Sequence, residues 1–122
     1  MTLQDLYTSI EGNYAQAKRI MQMDKLIARY LTKLEGSKLD ESMRAAAETL
    51  DATALFEGSH AMKGVCGNLG LDKLAAMASE ISEEFRPGKP RCFSDDQVKQ
   101  KIAELLALYS RTVEEIRKFS AQ

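Results

Sequence analysis

One side chain in this sequence is an imidazole, His60, and two are thiols, Cys66 and Cys92. These three residues limit the chemistry open to the chain. A zinc centre takes about four ligands, usually clustered at short spacings, and one His with two distant Cys fits that poorly. A Cys–His hydrolase needs its thiol beside the imidazole. At about 100° per residue, Cys66 falls about 120° around a helix from His60, on a different face. The imidazole is left to act with the residues of its own face.

That face is read from residues 52–69, ATALFEGSHAMKGVCGNL. On a helix, Leu55, Gly58, Met62, Val65, Cys66 and Leu69 fall on one side and form a core stripe. Phe56, Glu57, His60, Lys63, Gly64 and Gly67 fall on the other. Each interior glycine costs a helix about 0.8–1 kcal/mol relative to Ala. Two glycines on the His60 face therefore call for a reason other than tight core packing. A face stripped of side chains so that something bulky can reach the imidazole is one reason. Periodicity alone also admits an ordinary surface histidine beside incidental glycines. Taken singly, Lys63 is a solvated charge, Phe56 an edge-of-core residue and Gly70 a helix C-cap.

The elements that position this segment are helices throughout. The chain is rich in Ala, Leu, Lys, Glu, Gln and Met, all good helix formers, and shows no alternating β-branched runs. Both prolines, Pro87 and Pro90, sit in one loop, residues 86–91. Gly12 ends a first helix spanning Leu3 to Ile10. Asn13 caps a second reaching about Met21, and Asp24 caps a third ended by Gly36. Ser37 caps a helix carrying Leu39, Met43, Ala46, Ala47 and Leu50. Asp51 or Ala52 starts the His60 segment, and Gly70 closes it. The next helix opens at or just before Asp72, with Leu71, Leu74, Ala78, Ile81 and Phe85 in a stripe. Ser94 begins a long last helix with Val98, Ile102, Leu105, Tyr109, Val113 and Ile116 inward. Stripes of this width need other helices to cover them. The expected fold is all-α: an antiparallel up-down four-helix bundle made by the last four long segments, with short extra N-terminal helices that cap or flank it.

With 122 residues and 44 % hydrophobic content, the chain is expected to form a single domain, residues 1–122. It carries 17 Lys plus Arg against 18 Asp plus Glu, a net charge of −1. That excludes binding to nucleic acid mainly through bulk positive charge. No apolar run approaches the roughly 18 residues of a membrane span. The N-terminus has no basic region followed by an apolar stretch, so no secretory signal is expected. The cysteines then read as reduced thiols of a cytoplasmic protein.

The run His60-Ala-Met-Lys63-Gly64-Val-Cys-Gly-Asn-Leu69-Gly70-Leu71 closely resembles the signature of histidine-containing phosphotransfer (HPt) domains. That signature is a His, a Lys-Gly three and four residues on, and a Leu-Gly about ten residues past the His. Ala45 to Phe56 and Leu71 to Phe85 also resemble the helices before and after it, and the likeness covers roughly residues 13–118. Three positions depart from the family's habit. Ala61 stands where Thr is frequent, and Ser59 where Ala is frequent. Ser82 stands where a Gln or Glu often hydrogen-bonds the imidazole. A serine there leaves that orienting bond missing, water-mediated or supplied by Glu83.

The resemblance implies a phosphocarrier that relays a phosphoryl group to or from receiver-domain aspartates in a two-component phosphorelay. His60 would be the phosphoacceptor, with Lys63 offsetting phosphate charge and Gly64 leaving room. Gly67 would add room, and Phe56 and Ser82 would border the docking patch. A phosphoacceptor near pH 7 must be a neutral nucleophile. Imidazole, with an ordinary pKa of about 6.5, satisfies this better than an amine at about 10.4. The sequence shows no P-loop, no nucleotide-binding glycine loop and no acidic metal cluster of convincing spacing. The implied role is therefore a phosphotransfer module without its own ATP site and without a cofactor, with Mg²⁺ held by the partner receiver. The expected partners are receiver domains of response regulators or hybrid sensor kinases, met by a monomer that binds neither nucleic acid nor membrane. The competing reading is a phosphorylation-independent, HPt-like adaptor that docks a receiver or kinase domain. The presence of His60 weighs against it, because docking alone does not need an imidazole.

Overall fold

Side-chain caps set most of the helix starts. Asn13 accepts a hydrogen bond from the Gln16 amide, Asp51 from that of Ala54 and Ser94 from that of Gln97. Thr2–Asp5 and Ser94–Gln97 close reciprocal capping boxes. The computed structural model describes all 122 residues and contains helices and turns only. The helices are α1 (Leu3–Ser9), α2 (Tyr14–Met21), α3 (Asp24–Ser37), α4 (Glu41–Thr49), α5 (Ala52–Asn68), α6 (Asp72–Glu84) and α7 (Asp95–Ala121). None is long and apolar enough to cross a membrane.

Each helix sends side chains into one cluster of 26 buried hydrophobic residues. Leu6, Ala17, Ile27, Met43, Leu55, Leu74 and Leu105 are the contributions of α1 to α7 in order, and all are fully buried or nearly so. The α5–α6 hairpin is the most extensive helix pair, and α7 runs against α3, α6 and α4.

Two boundaries differ from the sequence reading. The third helix runs through Gly36 to Ser37 and ends on Lys38 in the left-handed conformation, φ 55°. Its N-cap is Met23, with Asp24 as the first helical residue. Ser37 thus belongs to α3 and does not cap α4, whose N-cap is Asp40. The fourth long helix of the bundle is accordingly α3, of 14 residues, packed along α7. α4 is a nine-residue piece that packs mainly on α5. The apolar stripe Ile27–Leu31–Leu34 explains this, because all three residues are buried.

The turn between α5 and α6 is held from the N-terminal side. Tyr7 Oη donates to the Leu69 carbonyl at 2.7 Å, and the Asn13 amide donates to the Gly70 carbonyl at 2.7 Å. Gly70 adopts φ +68°, and a Cβ there would lie 2.3 Å from the Asn13 carbonyl oxygen. The C-cap itself is Leu69; Gly70, the residue after it, lets the start of α2 come close to the end of α5. At the other end of α6, the loop 86–93 is fastened by Glu84, which is almost fully buried. Its carboxylate accepts from Arg91 Nε at 2.8 Å and from the Phe93 amide at 2.9 Å. Burial alone would push this carboxyl up. The Arg91 bond and the backbone donors of Phe93 and Cys92 outweigh it and hold the group below the usual carboxylate range.

Candidate functional site

α5 presents two unlike faces. On the inner face Leu55, Ser59, Met62 and Cys66 are completely buried. The Ser59 hydroxyl donates to the Leu55 carbonyl at 2.7 Å, so the residue before His60 is a satisfied buried serine. Gly58 lies against α4, where a Cβ would stand 2.8 Å from Met43 Cγ and 3.3 Å from Ser42 Oγ. Burial pushes the Cys66 thiol up to about 12, whereas Cys92 is an exposed free thiol in the loop.

The outer face carries His60 at the middle of the helix, exposed to solvent. Lys63 and Gly64, also exposed, lie about one turn on. A Cβ on Gly64 or on Gly67 would meet nothing within 4 Å. Gly64, in the helix interior, gives up helix propensity without any packing contact in return, and Gly67, in the last turn of α5, extends the open space expected from the sequence. Lys63 makes no ion pair, so its ammonium is free to meet an incoming anion. Glu57, one turn before His60, is exposed as well.

Phe56 is half-buried and packs against the core. Its ring stacks on the His60 imidazole, with centroids 5.6 Å apart and planes 17° from parallel. The sequence placed Phe56 on this face through its i, i+4 spacing, but as a docking contact. Ser82 is only 3 % exposed and makes no hydrogen bond to His60. It offers almost no surface to a partner, contrary to its expected place on the docking patch. Glu83 is engaged with Arg86, just past the end of α6, and does not supply the orienting bond either.

Val65 departs from the core stripe and is 38 % exposed. It borders an apolar groove of about 400 Å³ between α3 and α5, with Met21, Tyr30, Leu34, Leu39 and Leu69. Ile20, Met23 and Tyr30 add exposed apolar surface on α2, α3 and the turn between them. The sequence carried a weak sign of this in the apolar residues Ile20 and Met23, which lie off any stripe. No group of three or more His, Cys, Asp or Glu side chains is placed to share a metal ion.

The family model described as Hpt domain matches residues 3–112 of the chain. The match begins in α1, ten residues before the likeness read from the motif, and ends within α7. No curated protein and no solved structure matches the chain at a significant level.

Proposed function

The chain belongs to the Hpt domain family, and from that premise we propose that His60 takes a phosphoryl group from one receiver-domain aspartate and passes it to another. Domains of this family are histidine phosphotransfer modules of two-component phosphorelays, and their partners are receiver and kinase domains. The observation that carries the assignment is the exposed His60 imidazole on a helix face where Gly64 and Gly67 leave open space.

In the transfer, the Nε2 lone pair forms the N–P bond as the P–O bond to the partner's aspartyl carboxylate breaks. The carboxylate leaves with the bonding electron pair, and the return step reverses this. Such transfers depend on alignment and on offsetting charge, with little further covalent chemistry. The Lys63 ammonium would offset phosphate charge, and Gly64 and Gly67 would admit the phosphate and the receiver loops around it. Mg²⁺ on the partner would neutralise charge on the acyl phosphate.

The test is incubation with phosphorylated receivers. The expected product is an acid-labile, base-stable adduct on His60, with no label from ATP and Mg²⁺ alone. An adduct elsewhere in the chain would overturn the assignment. Receiver binding with no transfer in either direction would favour the adaptor reading.

A further inference from the structure

An exposed histidine on a helix ordinarily samples several χ1 and χ2 wells, and an in-line transfer uses only one orientation of its ring. A common way to select an orientation is a hydrogen bond to one ring nitrogen. No protein group supplies that bond to His60: Ser82 is buried, and Glu83 pairs with Arg86. The one side chain with a defined geometry against the imidazole is Phe56, nearly parallel at 17° and 5.6 Å between centroids.

Phe56 can restrain its neighbour because it is restrained itself. Its ring packs against the core cluster. The backbone beneath it is clamped by buried Leu55 and Ser59 on either side and by Gly58 closing on Met43. A stack also differs from a hydrogen bond in what it leaves free. The lone pair of an imidazole nitrogen lies in the ring plane, whereas a stacked neighbour covers only the ring face. Both ring nitrogens of His60 therefore stay clear at the edge while the plane is fixed.

We infer that Phe56 is a positioning residue, holding the His60 imidazole by face stacking in the orientation from which it receives phosphoryl, in place of an orienting hydrogen bond. The inference rests on the reading of His60 as the phosphoacceptor. It is distinct from a docking role for Phe56, because the stack exists within this chain and acts before any partner arrives.

Phosphoramidate separates the two roles, because a donor of that size has no docking surface. In the assay, an imidazole nitrogen of His60 forms the new N–P bond, the donor's P–N bond breaks, and ammonia leaves. The full chain is compared with Phe56→Leu, which keeps apolar volume and removes the ring, and with Phe56→Tyr, which keeps the ring. Phe56→Met takes the place of Phe56→Leu if that variant does not fold. Two quantities are read: the rate of acceptance, and the NMR shifts of the His60 ring protons in the unphosphorylated chain. In Phe56→Leu the His60 ring protons should move downfield as the shielding of the stacked ring is lost. Acceptance should slow about two- to tenfold, the factor expected of one aromatic pair. Phe56→Tyr should restore both.

Wild-type acceptance in Phe56→Leu would overturn the inference, as would unmoved His60 signals. Slowing with a phosphorylated receiver but not with phosphoramidate would make Phe56 a docking contact and overturn it as well. Failure of the phosphoacceptor reading is visible separately, as absence of label on the unsubstituted chain from either donor, and it would remove the positioning role too.

Discussion

Gly58 and Gly64 flank His60 on one helix and do opposite things. At Gly58 a Cβ would run into Met43 of α4; at Gly64 it would meet nothing. The inner face of α5 excludes a side chain because the protein already fills the space. The outer face excludes one although the space is empty. Gly64, at the middle of α5 one turn from His60, gives up about 0.8–1 kcal/mol of helix propensity with no packing contact in return, which fits a use in contact with a partner. This contrast, more than the imidazole by itself, supports the proposal that the outer face of α5 is the site.

The sharpest break of the comparison is His60→Gln. His60 is exposed and its one defined side-chain contact is the stack on Phe56, so the variant should stay folded and lose no more than that pair, about 0.5–1.5 kcal/mol. It should lose phosphoryl labelling completely. Residual labelling at the wild-type level would place the acceptor elsewhere and leave the bare face without a purpose.

Next in size is the contrast between the thiols. Cys66 is buried on the inner face, with its thiol pushed up to about 12 by burial. That leaves it roughly a thousandth of the ordinary thiolate, on top of the steric barrier. A thiol reagent on the folded chain at pH 8 should modify Cys92 rapidly and Cys66 only after unfolding. Prompt modification of Cys66 would mean that the inner face of α5 opens readily.

Much of this was legible in the sequence. Asn13, Asp51 and Ser94 are caps because capping is local, a side-chain oxygen reaching an amide two or three residues on. The division of α5 into faces followed from spacing alone. Which long helix completes the bundle did not, because α3 and α4 both carry stripes and only packing against α7 distinguishes them. Val65 read as core for a similar reason: periodicity gives the angle of a residue but does not say whether a neighbour covers it. Ser82 is a different case. It lies four residues after Ala78 and three before Phe85, both buried stripe positions, so its burial was readable. Family habit, not spacing, drew it to the docking patch.

The glycines test the comparison most directly, because the same substitution should act with opposite sign. Gly64→Ala should raise stability by up to about 1 kcal/mol from helix propensity. Gly64→Gln should keep stability at or above wild type and cut transfer from a receiver at least tenfold. Gly58→Ala gains the same propensity but forces Met43 aside in a filled core, where overpacking costs about 1–3 kcal/mol. The net should be a loss of about 1 kcal/mol. Thermal melts of the three variants with transfer rates on the folded protein decide it. A stabilised Gly58→Ala or a destabilised Gly64→Ala would erase the difference between the faces.

The smallest expected effect belongs to Lys63. Its side chain is exposed and unpaired, and it shares the outer face with His60 one turn away, so Lys63→Ala should leave the melting temperature unchanged. What it removes is a single charge near the phosphoryl group, in a setting where water competes. Such contacts are worth about 0.3–1 kcal/mol, which corresponds to a factor of about two to five in transfer rate or adduct lifetime. Because the contact is exposed, the difference between wild type and variant should shrink as salt rises and the screening length falls below about 8 Å. Lys63→Arg should keep most of the effect, since it keeps the charge on a stem of similar reach. Salt-independent slowing in Lys63→Ala would indicate a packing or docking role. Unchanged rate and lifetime at low salt would leave the bare face to His60, Gly64 and Gly67 alone.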